Sequence, residues 1–180
     1  MRVLSHDLVD SSRAADWGMR RPRRGVKTRP SGTVRLALFE CGRLLRTLEQ
    51  CNLFVNAGLP ALAALLGGDT TGEFAAAIGF GSGATAPAAS DAGLTAPAYF
   101  KALDSHSEDG AGSVIFNWSL TTGDAGAVGI TIQELGLFAN KSGVGLPGTT
   151  QPSPMLARKT ISPIIFTANM SLSGSWTLTF

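Results

Sequence analysis

The chain has 180 residues, of which 44% are hydrophobic and 16% are charged. This length can bury one hydrophobic core but is short for a second full domain, so we expect one domain with an appendage. We find no apolar signal-peptide core and no stretch near the roughly 18 apolar residues that a membrane span requires, so we expect synthesis in a cytoplasm and no membrane partner.

The first 32 residues are predicted to form an extended basic arm. They carry eight basic and three acidic residues, whereas the other 148 carry seven basic and ten acidic. The stretch SSRAADWGMRRPRRGVKTRPSG has no hydrophobic period and is interrupted by proline and glycine. We predict that this arm docks onto another protein subunit through Trp17, Arg20, Arg21, Arg23, Arg24, Lys27 and Arg29. Nucleic acid is a less favoured partner, because one tryptophan provides little base stacking.

Residues 33–180 have the pattern of an all-β domain. TVRLALFE and RLLRTLEQCNLFVN flank the dipeptide Cys41-Gly42, which predicts a β-hairpin with a two-residue turn. NAGLPALAALLGG then predicts one short helix, with Asn56 as its N-cap and Pro60 in its first turn. We interpret Cys41 and Cys51 as free thiols, because a cytoplasm is reducing.

Further strands follow the helix. EFAAAIGF leads into a loop rich in glycine, alanine and proline, and AYFKALDSHS and SVIFNWSLTT flank a second turn. The strands ITIQELGLFA, MLARKTIS and SLSGSWTLTF complete the chain, and Trp118 and Trp176 fall on apolar strand faces that predict core positions. Seven or eight short strands separated by turns predict an antiparallel β-sandwich or flattened barrel.

Two short tracts are candidate sites of chemistry. GFGSG could cradle a phosphate, but it lacks the Lys-Ser/Thr of a P-loop and no helix follows it, so a flexible exit from a strand is favoured. DSHSED offers Asp104, His106, Glu108 and Asp109 as ligands, but a polar turn is favoured over a metal site. No nucleophile signature accompanies either tract. We therefore expect no catalytic residues, no metal, no cofactor and no enzymatic activity.

Glu134 stands in the middle of the apolar strand ITIQELGLFA. Strand alternation would place it on one face with Ile130, Ile132 and Phe138, and the run reads as a central strand covered on both sides. A buried carboxylate without a partner costs several kcal/mol. We predict a structural pairing with Arg158 or with backbone N–H groups; a contact between subunits is the alternative.

Three segments taken together resemble a family of structural proteins from tailed bacteriophages, the tail or tail-fibre proteins. They are QCNLFVNAGLPALAALLGG, then IGFGSGATAPAASDAGLTAP, and then ITIQELGLFA with MLARKTI and the terminal SWTLTF. The resemblance covers about residues 34–180, and residues 1–32 lie outside it.

The resemblance implies a non-enzymatic virion protein, made in the bacterial cytoplasm and built into the tail, neck or fibre-attachment region. Its expected partners are copies of itself, as a trimer or ring that hides the edge strands, and other tail, neck or portal-complex proteins. Two other functions stay open, a capsid decoration protein and a carbohydrate- or receptor-binding module.

Overall fold

Two antiparallel five-stranded sheets build the structure, a computed structural model that describes residues 30–180. In spatial order, the first sheet contains β2 (Arg43–Cys51), β1 (Ser31–Glu40), β10 (Met170–Thr179), β7 (Ser113–Leu120) and β6 (Ser105–Glu108). The second contains β3 (Leu53–Phe54), β9 (Met155–Ile165), β8 (Thr131–Ala139), β4 (Ala75–Gly81) and β5 (Pro97–Ala102). The prediction of an all-β sandwich is confirmed. The seven arm residues from Trp17 to Arg29 lie outside the described residues, and β1 begins two residues before the predicted domain start.

The first hairpin forms as its turn sequence predicts. Cys41 and Gly42 have φ angles of 48° and 77°, which is the left-handed pair that a two-residue hairpin turn needs. Its second arm is shorter than predicted, because the chain leaves the first sheet after Cys51. Asn52 donates its backbone N–H to Gly32 O at 3.0 Å, and β3 then joins the second sheet.

The predicted strand AYFKALDSHS also changes sheets. Leu103 donates its backbone N–H to Ala76 O in the second sheet, and Asp104 donates to Asn117 O in the first. The segment is therefore split into β5 and β6, one at the edge of each sheet. These two crossings explain why the structure has ten strands where the sequence pattern predicted seven or eight.

Residues 30–180 contain one α-helix, α1 (Leu59–Leu66), which follows a 3₁₀ turn at Asn56–Gly58. Gly58 occupies the N-cap position and no side chain caps the helix, so the assignment of Asn56 as N-cap was wrong. Asn56 instead donates its backbone N–H to Ala89 O at 2.8 Å, which ties the turn to a long loop. Pro60 lies in the first turn, as predicted, where a missing N–H costs nothing.

The main core lies between the sheets. Val34 and Leu36 from β1 meet Ile78, Leu135 and other side chains of the second sheet. Trp118 and Trp176 are buried there, so their predicted core positions are confirmed. The Trp118 ring packs edge-to-face against Phe80, with ring centroids 5.6 Å apart.

The second sheet is also covered on its outer face, by the loops of residues 82–96 and 140–154. A smaller apolar cluster lies beneath them, formed by Val55, Ala77, Leu94, Phe100, Phe138 and Met155. Gly79 and Gly136 pair across β4 and β8, and a Cβ on either would lie within 2.7 Å of the Phe138 ring. The two glycines therefore make room for the aromatic pair Phe100–Phe138 under the loops.

No helix among residues 30–180 is both long and apolar enough to cross a membrane.

Candidate functional site

Glu134 and Arg158 lie on the two adjacent central strands of the second sheet, and both are fully buried. Glu134 pairs with Thr160 and Gly136 pairs with Arg158, so the two charged side chains are diagonal neighbours on one face. That face is the outer one, under the loop of residues 82–96.

The predicted companions of Glu134 on this face are only partly right. Phe138 belongs to the cluster on the outer face, whereas Ile132 is in the core between the sheets and Ile130 packs against that core. The β8–β9 register shifts between Ile132 and Glu134, which breaks the simple alternation of faces.

Arg158 binds Glu134 with two donors. Its Nε and Nη2 donate to Glu134 Oε2 at 3.0 and 2.6 Å. Its Nη1 donates to Asp91 Oδ2 at 2.7 Å, and Nη2 also donates to Thr85 O at 3.1 Å and to Thr95 Oγ1. One guanidinium thus joins strand β8 to three points of the loop of residues 82–96.

Glu134 receives further donors from the same loop. Its Oε1 accepts the backbone N–H of Ala96 at 2.7 Å and of Gly83 at 3.1 Å. Its Oε2 accepts the backbone N–H and the hydroxyl of Thr95, each at 3.0 Å. With the two bonds from Arg158, all of the roughly four lone-pair positions of a carboxylate are engaged. We call Glu134 and Arg158, together with the loop residues Asp91, Thr95 and Gly83 that bind them, the buried network; the two central charges are buried, whereas Asp91 is partly exposed and Thr95 is exposed.

The GFGSG tract forms part of the buried network. A Cβ atom on Gly81 would lie 2.7 Å from Glu134 Oε1, and one on Gly83 would lie 2.5 Å from the same oxygen. The glycines allow the carboxylate to approach the backbone closely. The chain does leave strand β4 at Gly81, as the sequence predicts, and Gly83 then donates its backbone N–H to Glu134. The tract does hold an anion, which is a carboxylate of its own chain.

The buried network favours the charged state of its members. Burial alone raises the pKa of Glu134, but the hydrogen bonds from Ala96, Thr95 and Arg158 hold it below its usual range. Burial likewise raises the pKa of Asp91, and the bonds from the Ala88 N–H and from Arg158 outweigh that effect. Burial lowers the pKa of Arg158, and the two carboxylates raise it above its usual value. The network is therefore a stable set of charges, not a proton donor or acceptor near neutral pH.

A second polar group lies at the edge strand β5. Asp124 accepts hydrogen bonds from the Tyr99 hydroxyl and from Lys101 Nζ, both at 3.1 Å, and from the Thr121 backbone N–H at 2.8 Å. Burial and the Asp124 charge raise the pKa of Tyr99 to about 12. The carboxylate therefore fixes the loop after β7 to β5.

The DSHSED tract is only partly a turn. His106 and Glu108 lie on strand β6, while Asp109 holds the turn by accepting the backbone N–H groups of Ala111 and Ser113 at 2.8 and 2.9 Å. Within residues 30–180, no group of three or more His, Cys, Asp or Glu side chains is placed to hold a metal ion. Cys41 and Cys51 are exposed free thiols.

The sequence pattern of the strands predicted two members of the buried network, Glu134 and Arg158, and the structure brings them together. It missed the loop members, Asp91, Thr95 and Gly83. The one feature of the sequence that could have pointed to these loop residues is the composition of residues 82–96, which are mostly small and include one carboxylate, Asp91. The comparisons of this chain with protein-family models, with curated proteins and with solved structures found no match.

Proposed function

We propose that this chain is a non-enzymatic structural protein of a tailed-bacteriophage virion, located in the tail, neck or fibre-attachment region. One observation carries the proposal. Two of the three segments that resemble the phage family meet in the buried network: the second supplies Gly83 and Asp91 from its loop, and the third supplies Glu134 and Arg158 from its strands. Because residues of these two segments contact each other directly, their joint occurrence in the sequence has a physical basis, and this supports the proposal.

The chemistry of the buried network also favours a structural role. Each of the three guanidinium nitrogens of Arg158 and both carboxylate oxygens of Glu134 form hydrogen bonds inside the fold, which disfavours substrate binding by either group. What the network does is hold a 15-residue loop, residues 82–96, against the sheet. A rigid outer surface of this kind suits a subunit that packs against neighbouring subunits.

The exposed edge of the first sheet supports a partnership with further copies of the chain. Strand β2 is nine residues long, and among residues 30–180 it pairs on one side only, with β1. Leu44 and Leu45 on this strand are 51% and 48% exposed. An open strand with exposed leucines favours pairing with another chain, and a trimer or ring of copies would cover it.

Immunogold electron microscopy of purified particles tests the proposed function. Virions whose genome encodes the chain are labelled with an antibody to residues 33–180, and gold at the tail, neck or fibre base is the expected result. Gold spread over the head would replace the proposal with a capsid decoration protein. Particles that contain none of the protein by mass spectrometry would overturn a virion role.

A further inference from the structure

An apolar cavity of about 340 Å³ opens at the end of the sandwich where β1 begins. Val114, Phe116 and Leu178 line it from the first sheet, and Phe54 and Leu156 line it from the second. Leu65 of α1 forms part of the remaining wall. The main core thus stays open at this end.

Two phenylalanine side chains at the border of this cavity are largely exposed to solvent. Phe74 is 54% exposed and Phe180 is 61% exposed, and both line the cavity. Two exposed aromatic rings beside an apolar cavity form the kind of surface that another chain segment covers.

The N-terminal arm enters the domain beside the cavity. Ser31 pairs with Thr179 and Gly32 pairs with Leu178, so Pro30 lies next to the strand end that carries Phe180. The arm up to this point has 29 residues, and a fully extended chain of that length reaches about 100 Å. It can therefore reach the cavity of its own domain or that of a neighbouring copy.

The charges of the arm and the cavity are complementary. Glu108 lines the cavity and is exposed, whereas Glu73 in the same wall is already paired with Lys141. Residues 33–180 as a whole carry three more acidic than basic residues. Residues 1–32 carry five more basic than acidic residues, and Trp17 stands three positions before Arg20. A tryptophan followed by arginines matches an apolar cavity with an exposed carboxylate, that of Glu108, at its wall.

We propose that residues 1–29 cover this cavity, with the Trp17 side chain seated inside it and the arginines that follow beside Glu108. The inference is independent of the proposed virion role. Under this proposal Trp17 anchors the arm, and the cavity is filled by a basic segment with one aromatic side chain, which comes from the same chain or from another copy of it.

Disulfide trapping tests the proposal on the full-length chain. In a background with Cys41→Ser and Cys51→Ser, Gly18→Cys is combined with Leu65→Cys, which keeps Trp17 in place. The control pairs Gly18→Cys with Leu66→Cys, since Leu66 is 84% exposed and does not line the cavity. We expect trapping at position 65 to be about tenfold faster, because a disulfide needs close and oriented Cβ atoms.

Equal or faster trapping at position 66 would overturn the proposal. Non-reducing gels distinguish a bond within one chain from a bond between two chains, and either one supports the seating of the arm in the cavity.

A second measurement uses no cysteine in α1, so its result does not depend on whether the cysteine substitutions disturb that helix. Trp17→Ala should increase the fluorescence of the neutral apolar dye Nile red by about threefold, since the cavity is uncovered, and Trp17→Phe should restore the low signal. Unchanged dye binding in Trp17→Ala contradicts the proposal. So does a small apolar molecule found bound to the wild-type protein by native mass spectrometry.

Discussion

Gly81 and Glu134 are paired across strands β4 and β8, and a Cβ atom on Gly81 would lie 2.7 Å from Glu134 Oε1. Because this position has no side chain, the carboxylate can lie flat against the backbone and reach the N–H groups of Gly83 and Ala96. The glycine tract and the buried glutamate are therefore two parts of one feature, and neither is explained without the other.

Gly83→Ala should destabilise the fold by about 1–3 kcal/mol, because the new methyl group would overlap Glu134 Oε1 and force the loop away. Gly145→Ala is the matched control: it also lies in a long loop, but no atom lies within 4 Å of its Cβ position. We expect the control to stay within about 0.5 kcal/mol of wild type in urea unfolding. Equal effects of the two substitutions would contradict the steric argument.

Glu134→Ala should destabilise the protein by about 3–5 kcal/mol, because it leaves Arg158 buried with only part of its charge compensated. Glu134→Ala combined with Arg158→Leu should recover part of this loss, since the unpaired charge is also removed. The double-mutant cycle is measured by urea unfolding at neutral pH. Strictly additive losses would show that the ion pair contributes no coupling energy.

The stability should fall in acid through the buried network. The pKa values of Glu134 and Asp91 lie below their ordinary values of 4.5 and 3.8, so the folded state binds fewer protons than the unfolded state in that region. The stabilisation is complete above the ordinary values and is lost as pH falls through the lowered ones.

Urea midpoints from about pH 3 to about pH 7 measure this effect. We expect Glu134→Gln to have a flatter pH profile than wild type. Glu49→Gln, which changes an exposed carboxylate paired with Arg35, should follow the wild-type profile. A Glu134→Gln profile parallel to wild type would refute this contribution.

Tyr99 should ionise at unusually high pH. It is the only tyrosine in the chain, so the ultraviolet absorbance of tyrosinate reports on it alone. Burial and the adjacent Asp124 raise its pKa to about 12. Asp124→Asn should lower this pKa, because it removes the negative charge that opposes ionisation of the Tyr99 hydroxyl. An unchanged titration in Asp124→Asn would exclude the carboxylate as a cause.

The edge of β2 should mediate association between copies. Leu45→Lys places a charge on the open strand, and we expect it to reduce oligomer formation about tenfold in light scattering at a fixed concentration. Leu66→Lys is the control, because Leu66 is still more exposed but lies on α1. Equal losses from both substitutions, or a wild-type protein that is monomeric both in solution and in assembled particles, would exclude this edge.

The amino-acid sequence by itself determined the features that depend on neighbouring residues. The hairpin turn at Cys41-Gly42 follows from a dipeptide that tolerates positive φ angles. The core positions of Trp118 and Trp176 follow from the alternation of side chains along β7 and along β10, respectively. It also determined that Glu134 needs a partner, because the cost of burying a charge does not depend on the fold.

Only the tertiary structure decided how that need is met. One of the two register shifts in the β8–β9 pair lies between Ile132 and Glu134 and places them on different faces, and strand alternation cannot reveal such a shift. The donors from Gly83 and Thr95 lie 51 and 39 residues away in the chain, and Asp91 reaches Arg158 across 67. Such contacts arise from how the loop folds over the sheet, so no local pattern encodes them. The physical reason is that a hydrogen bond depends on the distance between two atoms in the folded structure, whereas sequence periodicity reports only on residues that are close together along the chain.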